Sequence, residues 1–504
     1  MQRITADHPH PLFDTAATRR IETAAAAALP PHALMQRAGR AVAQLAQALA
    51  PHARRIWIAC GPGNNGGDGL EAAVHLQRSG YAVAVTWLGQ PDRCPPDARA
   101  AWQRAQAAGL DRSTTPPAAL GPQDLCIDAL LGLGASSAPQ PNPRTPDARL
   151  LACLQALRHS PATVLAVDLP SGLDADTGQF APGLEPEASP PPTAGPRHTL
   201  SLLTLKPGLF TAAGRDAAGT VWLDVLDAAA TEAPSAWLQG PPAPQHRAHA
   251  SHKGSYGDVA IVGGEGLAAR GMGMTGAALL AASAALHSGA GRVMVCLMDD
   301  EHPAAASALP ELMLRRFDAL ALAELSVVCG CGGGQAVVPR LPAVLARSAR
   351  LVLDADALNA VAADAALQSL LTARAAQGLP TVITPHPLEA ARLLGTTTAV
   401  VQADRLAAAR ALALRFGCVV VLKGSGTVVA APDGAASLNP TGNALLATGG
   451  TGDVLAGMVG AGLARGLGAM AAARAAVYRH GLAADVWPAG APLTAGALAR
   501  RVGG

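Results

Sequence analysis

Two doubly wound α/β domains in tandem, the first a Rossmann-like three-layer sandwich, are predicted by this sequence. Three observations lead there. At 504 residues the chain exceeds one ordinary domain. Short apolar runs alternate with helical patterns in two separate series, as in mostly parallel sheets. Most glycine- and acid-rich turns follow those runs, where open α/β sheets bind ligands.

The first series begins with Arg54–Cys60 and continues through Tyr81–Leu88, Leu125–Leu130, Val164–Val167 and Leu200–Leu205 as strands. The loop 61–69 follows the first of them and opens a helix carrying Leu70, Ala73, Val74 and Leu76. A Pro-rich stretch, Gly183–Pro196, reads as a surface excursion, and Ala228–Ala250 as an interdomain linker. The second series has strands at Val259–Val262, Val293–Leu297, Ser326–Cys329, Leu351–Leu353, Thr381–Ile383 and Val419–Leu422. Its helices are Ala-rich, as at Thr275–His287.

Composition excludes several classes. A net charge of +2 argues against a nucleic-acid surface, which needs a clustered basic face. Cys60, Cys94, Cys126, Cys153, Cys296, Cys329, Cys331 and Cys418 form no CxxC pair, so no zinc site is expected and most read as buried free thiols. Met1–Asp14 lacks the apolar core of a signal peptide, and no uninterrupted apolar run is long enough to span a membrane; a soluble cytoplasmic protein is the expectation. Cationic positions are nearly all Arg. Of the three lysines, Lys253 and Lys423 sit in glycine-containing turns and are favoured as functional over Lys206.

The most informative stretch runs from Asn439 to Asp453. Four glycines and three threonines precede an apolar helical segment, Val454–Leu463, with Asp453 at the junction. A glycine-rich turn opening a helix directs backbone N–H groups at an anion, and the helix dipole favours negative charge there. An adjacent aspartate is placed to take a hydroxyl proton during phosphoryl transfer. No Gly-Lys-Ser/Thr follows, so this is not a Walker loop. The turns at His252–Gly257, Asp354–Asn359, Thr384–Glu389 and Lys423–Thr427 accompany it. Lys423–Thr427 suits nucleotide phosphate or ribose, or a plain hairpin turn.

In the first half, the glycines of 61–69 permit close approach to a phosphate or ribose. Two further acid-bearing turns, Asp128–Gly134 and Asp168–Asp174, also follow strands. If those strands are parallel neighbours, Asn65, Asp128 and Ser171 converge on one edge, with oxygens suited to a hard cation. Taken singly, each aspartate reads first as a turn or helix cap; three such turns after three strands favour a site.

The segments GPGNNGGDG (61–69), IDALLGLG (127–134) and VDLPSGLDADTG (167–178), with Leu34–Gly39 near the start, resemble the epimerase domain of NAD(P)H-hydrate repair enzymes over Asp14–Leu226. That resemblance implies that Asn64, Asn65, Gly66, Gly67 and Asp68 hold the hydrated nucleotide, together with Gly132, Leu133, Gly134, Ala135, Ser136, Ser137 and Ala138. It also implies potassium at Asn65, Asp128 and Ser171, and substrate contact and acid/base duty for Asp168. The Pro-rich stretch before Arg197 is longer than the family pattern.

From His252 to Val502 the ordered motifs resemble the ADP/ATP-dependent hydrate dehydratase domain, a ribokinase-like branch. The likeness implies adenine nucleotide at Lys423, Gly424, Ser425, Gly426, Thr427 and Gly452, and the hydrate at Ala277, Gly332, His386 and Asp453. Mg²⁺ is expected with ADP or ATP. Gly330–Gly334 departs from the family's Gly-Pro-Gly-Leu-Gly, so a looser turn is expected. The implied organisation is an epimerase domain over 1–230, a linker over 231–250 and a dehydratase domain over 251–504. A homo-oligomer acting on small molecules, with neither nucleic acid nor membrane as partner, is expected. Two rivals remain: a vitamin or sugar kinase releasing a stable phosphorylated product, and, for the first half, a scaffold like those in eukaryotic mRNA-decapping proteins. The fused first domain counts against the kinase. The intact polar set Asn65, Asp68, Asp128 and Asp168 counts against the scaffold.

Overall fold

The computed structural model describes residues 1–138, 145–187, 193–244, 248–298 and 309–503. The chain divides into two compact units, Met1–Thr5 with His10–Trp237, and Ala6–Pro9 with Leu238–Gly504. Parts of the predicted Pro-rich excursion (188–192) and of the predicted linker (245–247) lie outside the described residues. Within that linker stretch, Ala236–Leu238 forms a short strand.

The first unit is a sheet in the order Gln2–Arg3, Thr220–Asp224, Arg197–Leu202, Thr163–Val167, Leu125–Ala129, Ile56–Cys60, Val83–Trp87, Arg112–Ser113. Only Gln2–Arg3 runs antiparallel to its neighbour. Side chains alternate along a strand, and here both faces are covered. Ile56, Ile58 and Cys60 enter one hydrophobic layer, while Trp57 and Ala59 enter the other. A sheet buried on both faces gives continuous apolar runs, the pattern that made these strands readable. The chain winds outward in both directions from Ile56–Cys60 and Leu125–Ala129. That switch leaves a crevice at their carboxyl ends.

The second unit follows the same plan. Its strands order as Met313–Leu314, Arg292–Leu297, Asp258–Gly263, Ser326–Cys329, Arg350–Leu353, Thr381–Ile383, Val419–Leu422, Val428–Ala430 and Ala436–Leu438. The first seven are parallel and the last two are added antiparallel. Val259, Ile261, Val328, Val352 and Val421 pack with the helices Thr275–His287 and Thr451–Ala464 in one Ala- and Val-rich core.

Three expectations are corrected. The strand expected at Leu200–Leu205 is Arg197–Leu202, because Leu203 takes a left-handed φ of 63° and turns the chain. The loop expected over 61–69 is already helix from Asn64 onward. Its glycines answer packing more than ligand approach: a Cβ would lie 2.0 Å from Gly61 O at Gly66 and 2.6 Å from Met35 Sδ at Gly67. The turn 330–334 is not loose. Gly330, Gly332 and Gly334 all have positive φ, and Cβ atoms there would meet Asp354 O at 2.0 Å, Met274 O at 2.5 Å and Glu265 Oε2 at 2.1 Å.

All eight cysteines are free and buried. Among the described residues no helix is long and apolar enough to cross a membrane.

Candidate active sites

The first unit holds a cavity of about 450 Å³ at its topological switch, lined by Asn64, Asn65, Asp68, Gly132, Leu133, Gly134 and Asp168 from the expected set. Gly66 and Gly67 face the helix packing instead. Ser137 is turned to Asp174, donating from N (2.8 Å) and Oγ (3.0 Å), and Ser136 Oγ accepts from Ala138 N at 3.3 Å. Ala135, Ser136, Ser137 and Ala138 do not line the cavity.

Asp168 ends the strand Thr163–Val167 with a left-handed φ of 66°. A non-glycine residue there stores backbone strain, a feature that clusters at functional sites. Its carboxylate accepts from Leu202 N (3.0 Å) and is ion-paired with Lys206. Lys206 is wholly buried and also donates to Leu202 O at 2.8 Å. The lysine preference is therefore corrected: Lys206 lines the cavity and Lys423 is ion-paired with buried Asp354, whereas Lys253 is exposed. Burial, reinforced by the charge of Asp168, pushes the Asp68 carboxyl well up, and Glu22 shifts upward for the same reasons.

Asp128 and Ser171 meet as expected of parallel neighbours. Ser171 donates to the buried Asp128 carboxylate from N (2.9 Å) and from Oγ (2.5 Å). Leu131 N donates to Ser171 Oγ at 2.8 Å. Burial raises the Asp128 carboxyl, while the hydrogen bonds from Ser171 and Leu130 N and, last, the charge of Arg158 pull it back. Asn65 packs against Gly132, and its Nδ2 is buried with no hydrogen-bond partner.

In the second unit, Thr451, Gly452 and Asp453 are already helix, so Asp453 occupies the first turn of Thr451–Ala464. Gly450 before it takes φ 91°. His480 Nε2 lies 2.9 Å from Thr451 O, anchoring that turn; burial lowers the His480 pKa to about 4, so its neutral ring donates. One ligating atom each from Cys331, Asp354 and Asp453 lies within 4.8 Å of the others. Burial, then the charge of Asp354, lifts the Asp453 carboxyl to about 6. Burial pushes the Cys331 thiol well up.

Lys423 Nζ donates to Asp354 Oδ1 at 2.6 Å and lies 4.0 Å from Glu389 Oε2. Burial alone would lower its ammonium pKa, but Asp354 and Glu389 raise it on balance. Glu389, buried at the same place, is lifted to about 7. Lys423–Thr427 is the loop between antiparallel strands. Buried Arg405 donates to Lys423 O at 3.1 Å, and a Cβ at Gly424 would strike its guanidinium at 2.9 Å. A Cβ at Gly452 would stand 3.4 Å from Lys423 Nζ, so the glycine turn and this loop share one space. Gly332 lies against Ala277 and next to Cys331 in the chain. His386 caps its own helix, with Nδ1 accepting from Leu388 N at 3.1 Å, while Nε2 is 3.2 Å from Glu389.

Lys206, Glu22, Asp354, Glu389 and Cys331 were not among the expected site residues. Lysine scarcity was a usable signal for Lys206. Asp354 and Glu389 stood in turns already singled out, but nothing in local sequence reveals that both reach one lysine.

A cavity at the switch point of the first unit and a glycine turn beside a lysine loop in the second, each with an acid–lysine ion pair, define a two-site α/β enzyme. A family model described as NAD(P)H-hydrate dehydratase matches residues 261–501, and one described as YjeF-related protein N-terminus matches 31–208. The bifunctional NAD(P)H-hydrate repair enzyme Nnr of Escherichia coli is 36% identical over 513 residues, covering 96% of this chain and 91% of that protein. An ADP-dependent (S)-NAD(P)H-hydrate dehydratase of Neisseria meningitidis is 46% identical, covering 51% of this chain and 86% of that protein. A solved Bacillus subtilis ADP/ATP-dependent NAD(P)H-hydrate dehydratase, co-crystallized with ATP/Mg²⁺, is 31% identical with a TM-score of 0.42, covering 51% of this chain and 91% of that one. The chain belongs to the bifunctional NAD(P)H-hydrate repair enzyme family.

Proposed function

We propose that this chain repairs hydrated NADH and NADPH: an epimerase domain over 1–230, within the first unit but for Ala6–Pro9, interconverts the R and S hydrates, and a dehydratase domain over 251–504, in the second unit, dehydrates the S form with ADP or ATP. The observation that carries the reading is Asp453, a carboxyl poised near 6 in the first turn of a helix, beside the Lys423 loop.

Hydroxide is a poor leaving group and phosphate a good one. Asp453 takes the proton of the hydrate hydroxyl as that oxygen attacks the terminal phosphoryl group. The P–O bond to the nucleotide breaks, releasing AMP from ADP or ADP from ATP. The ring nitrogen then expels phosphate, and loss of a proton from the neighbouring carbon restores the dihydronicotinamide. Backbone N–H groups of Gly449–Gly452 and the Lys423 ammonium meet the negative charge that develops. Ala277, Gly332 and His386 border the hydrate, and Lys423–Thr427 with Gly452 the nucleotide. Mg²⁺ would enter with the nucleotide, and the Asp354 carboxylate beside Asp453 would be the residue to hold it, leaving Asp453 free as the base; the Cys331 thiol is a poor partner for such an ion. When bound it neutralises phosphate charge.

In the first unit Asp168 moves the proton during inversion at the hydrated carbon, held in place by Lys206. Asn64, Asn65, Asp68 and Gly132–Gly134 border the substrate. Asp128 and Ser171 suit potassium, with Asn65 completing the set: a buried carboxylate next to a hydroxyl offers the hard oxygens such an ion takes. Bound there, it would fix loop geometry and substrate phosphate. A cytoplasmic homo-oligomer is part of this proposal.

The test is recovery of reduced-nicotinamide absorbance from mixed R/S NADH hydrate with Mg²⁺, K⁺ and ADP or ATP. Complete recovery, faster than spontaneous epimerisation, is expected. Recovery of the S fraction alone would remove the epimerase role, and no recovery with either nucleotide would overturn the whole proposal.

A further inference from the structure

The second unit contains another cavity, of about 340 Å³, that shares no residue with the site around Asp453. It lies at the far end of the helix Thr451–Ala464, whose Met458 and Gly462 line it. From Gly452 to Gly462 is about 15 Å at 1.5 Å rise per residue. The helix Ala469–Asp485 forms another wall, and the alanines at 471, 472, 475 and 476 keep that wall low.

The charge of the cavity is one-sided. Arg465, Arg474 and Arg479 line it, and no aspartate or glutamate does. Arg465 donates to Ser288 O at 3.0 Å. Neither Arg474 nor Arg479 forms an ion pair among the described residues, and burial lowers the Arg474 guanidinium. A half-buried guanidinium without a counter-ion is costly, and an anion removes that cost.

A second, independent feature points to an occupant. Gln239 lines the cavity and is 1% exposed. Its Nε2 donates to Arg474 O at 2.6 Å, which fixes the amide, yet Oε1 is buried without a hydrogen-bond partner. Ser288, also in the lining, has a buried Oγ with no partner. Buried polar atoms are normally satisfied, so a donor-bearing ligand is the missing partner.

We infer that this cavity binds a phosphate-bearing small molecule, its phosphoryl group between Arg474 and Arg479 and its polar remainder toward Gln239 and Ser288. Free phosphate and a nucleoside monophosphate share this chemistry, and the size, at the lower end of ligand pockets, admits both.

Hydrogen-exchange mass spectrometry on the full chain, with AMP, inorganic phosphate or adenosine as probe, tests this. AMP, phosphate or both should protect peptides spanning 462–480, separately from any protection at 423–453. Protection by AMP alone assigns the nucleotide as source; equal protection by phosphate assigns the free anion. In R474A/R479A, and more mildly in R479A alone, half-maximal protection at 462–480 should need at least tenfold more probe. Dehydration and thermal midpoint, measured alongside, confirm that each variant is folded. No protection there at probe levels that saturate 423–453 would overturn the assignment. So would protection that persists unchanged in both variants, or protection by adenosine equal to that by AMP.

Discussion

The two candidate sites use the same pair of residue types in opposite ways. In the first unit the lysine grips the candidate acid itself: Lys206 is ion-paired with Asp168. In the second the lysine grips the acid's neighbour: Lys423 bonds Asp354, and Asp453 is left with a carboxylate and a thiol beside it. A direct ion pair favours the carboxylate, whereas burial next to another carboxylate favours the protonated form. The second arrangement therefore gives a group that titrates near neutrality, the first a group fixed in place by its partner.

The sharpest way to break this contrast is Asp453→Asn. Dehydration of the S hydrate should fall by about 10³-fold, within the range for removing a general base, while epimerisation persists. Near-normal recovery of absorbance would end the assignment. Asp168→Asn should lower R-to-S exchange by about 10²-fold or more and leave S dehydration intact, read by chromatography of the two epimers. Loss of both activities in that variant would signal misfolding instead.

The pH profile sharpens the comparison further. With its carboxyl at about 6, Asp453 must be ionised to act, so the dehydration turnover number should rise through about pH 6 and then level off. The Cys331 hydrogen bond favours the carboxylate, so Cys331→Ala should move that limb upward, by less than roughly one unit. A profile unchanged in the variant would show that the thiol does not reach the acid. The smallest effect is on stability. A carboxyl raised on folding destabilises the native state progressively as pH rises from its unfolded value, and in full above its folded value. Asp453→Asn should gain roughly 1–2 kcal/mol in urea unfolding at pH 8 and nothing below about pH 4. An equal gain at both pH values would point to packing rather than charge.

Strands buried on both faces were legible because their apolar runs are unbroken: Ser326–Cys329, Thr381–Ile383 and Val419–Leu422 stand where the sequence placed them. So does the helix Thr275–His287. The turn at Leu203 was not, since a left-handed leucine carries no local signal. Asp128 and Ser171 were foreseeable from strand parallelism alone. The convergence of Asp354, Glu389 and Cys331 near Lys423 depends on sheet order, which short motifs do not encode.

The helix Asn64–Arg78 carries Gly66, Gly67 and Gly69 in its first two turns, although glycine weakens a helix. At Gly69 a Cβ would lie 2.6 Å from that of Ala129, on the neighbouring strand Leu125–Ala129. Gly66, against the Gly61 backbone, and Gly69 are closed even to alanine for reasons of space. A substitution scan would find them as intolerant as the cavity residues Asn64, Asn65 and Asp68 that alternate with them. Intolerance along this segment thus reports two different pressures, and only the side chains lining the cavity report chemistry.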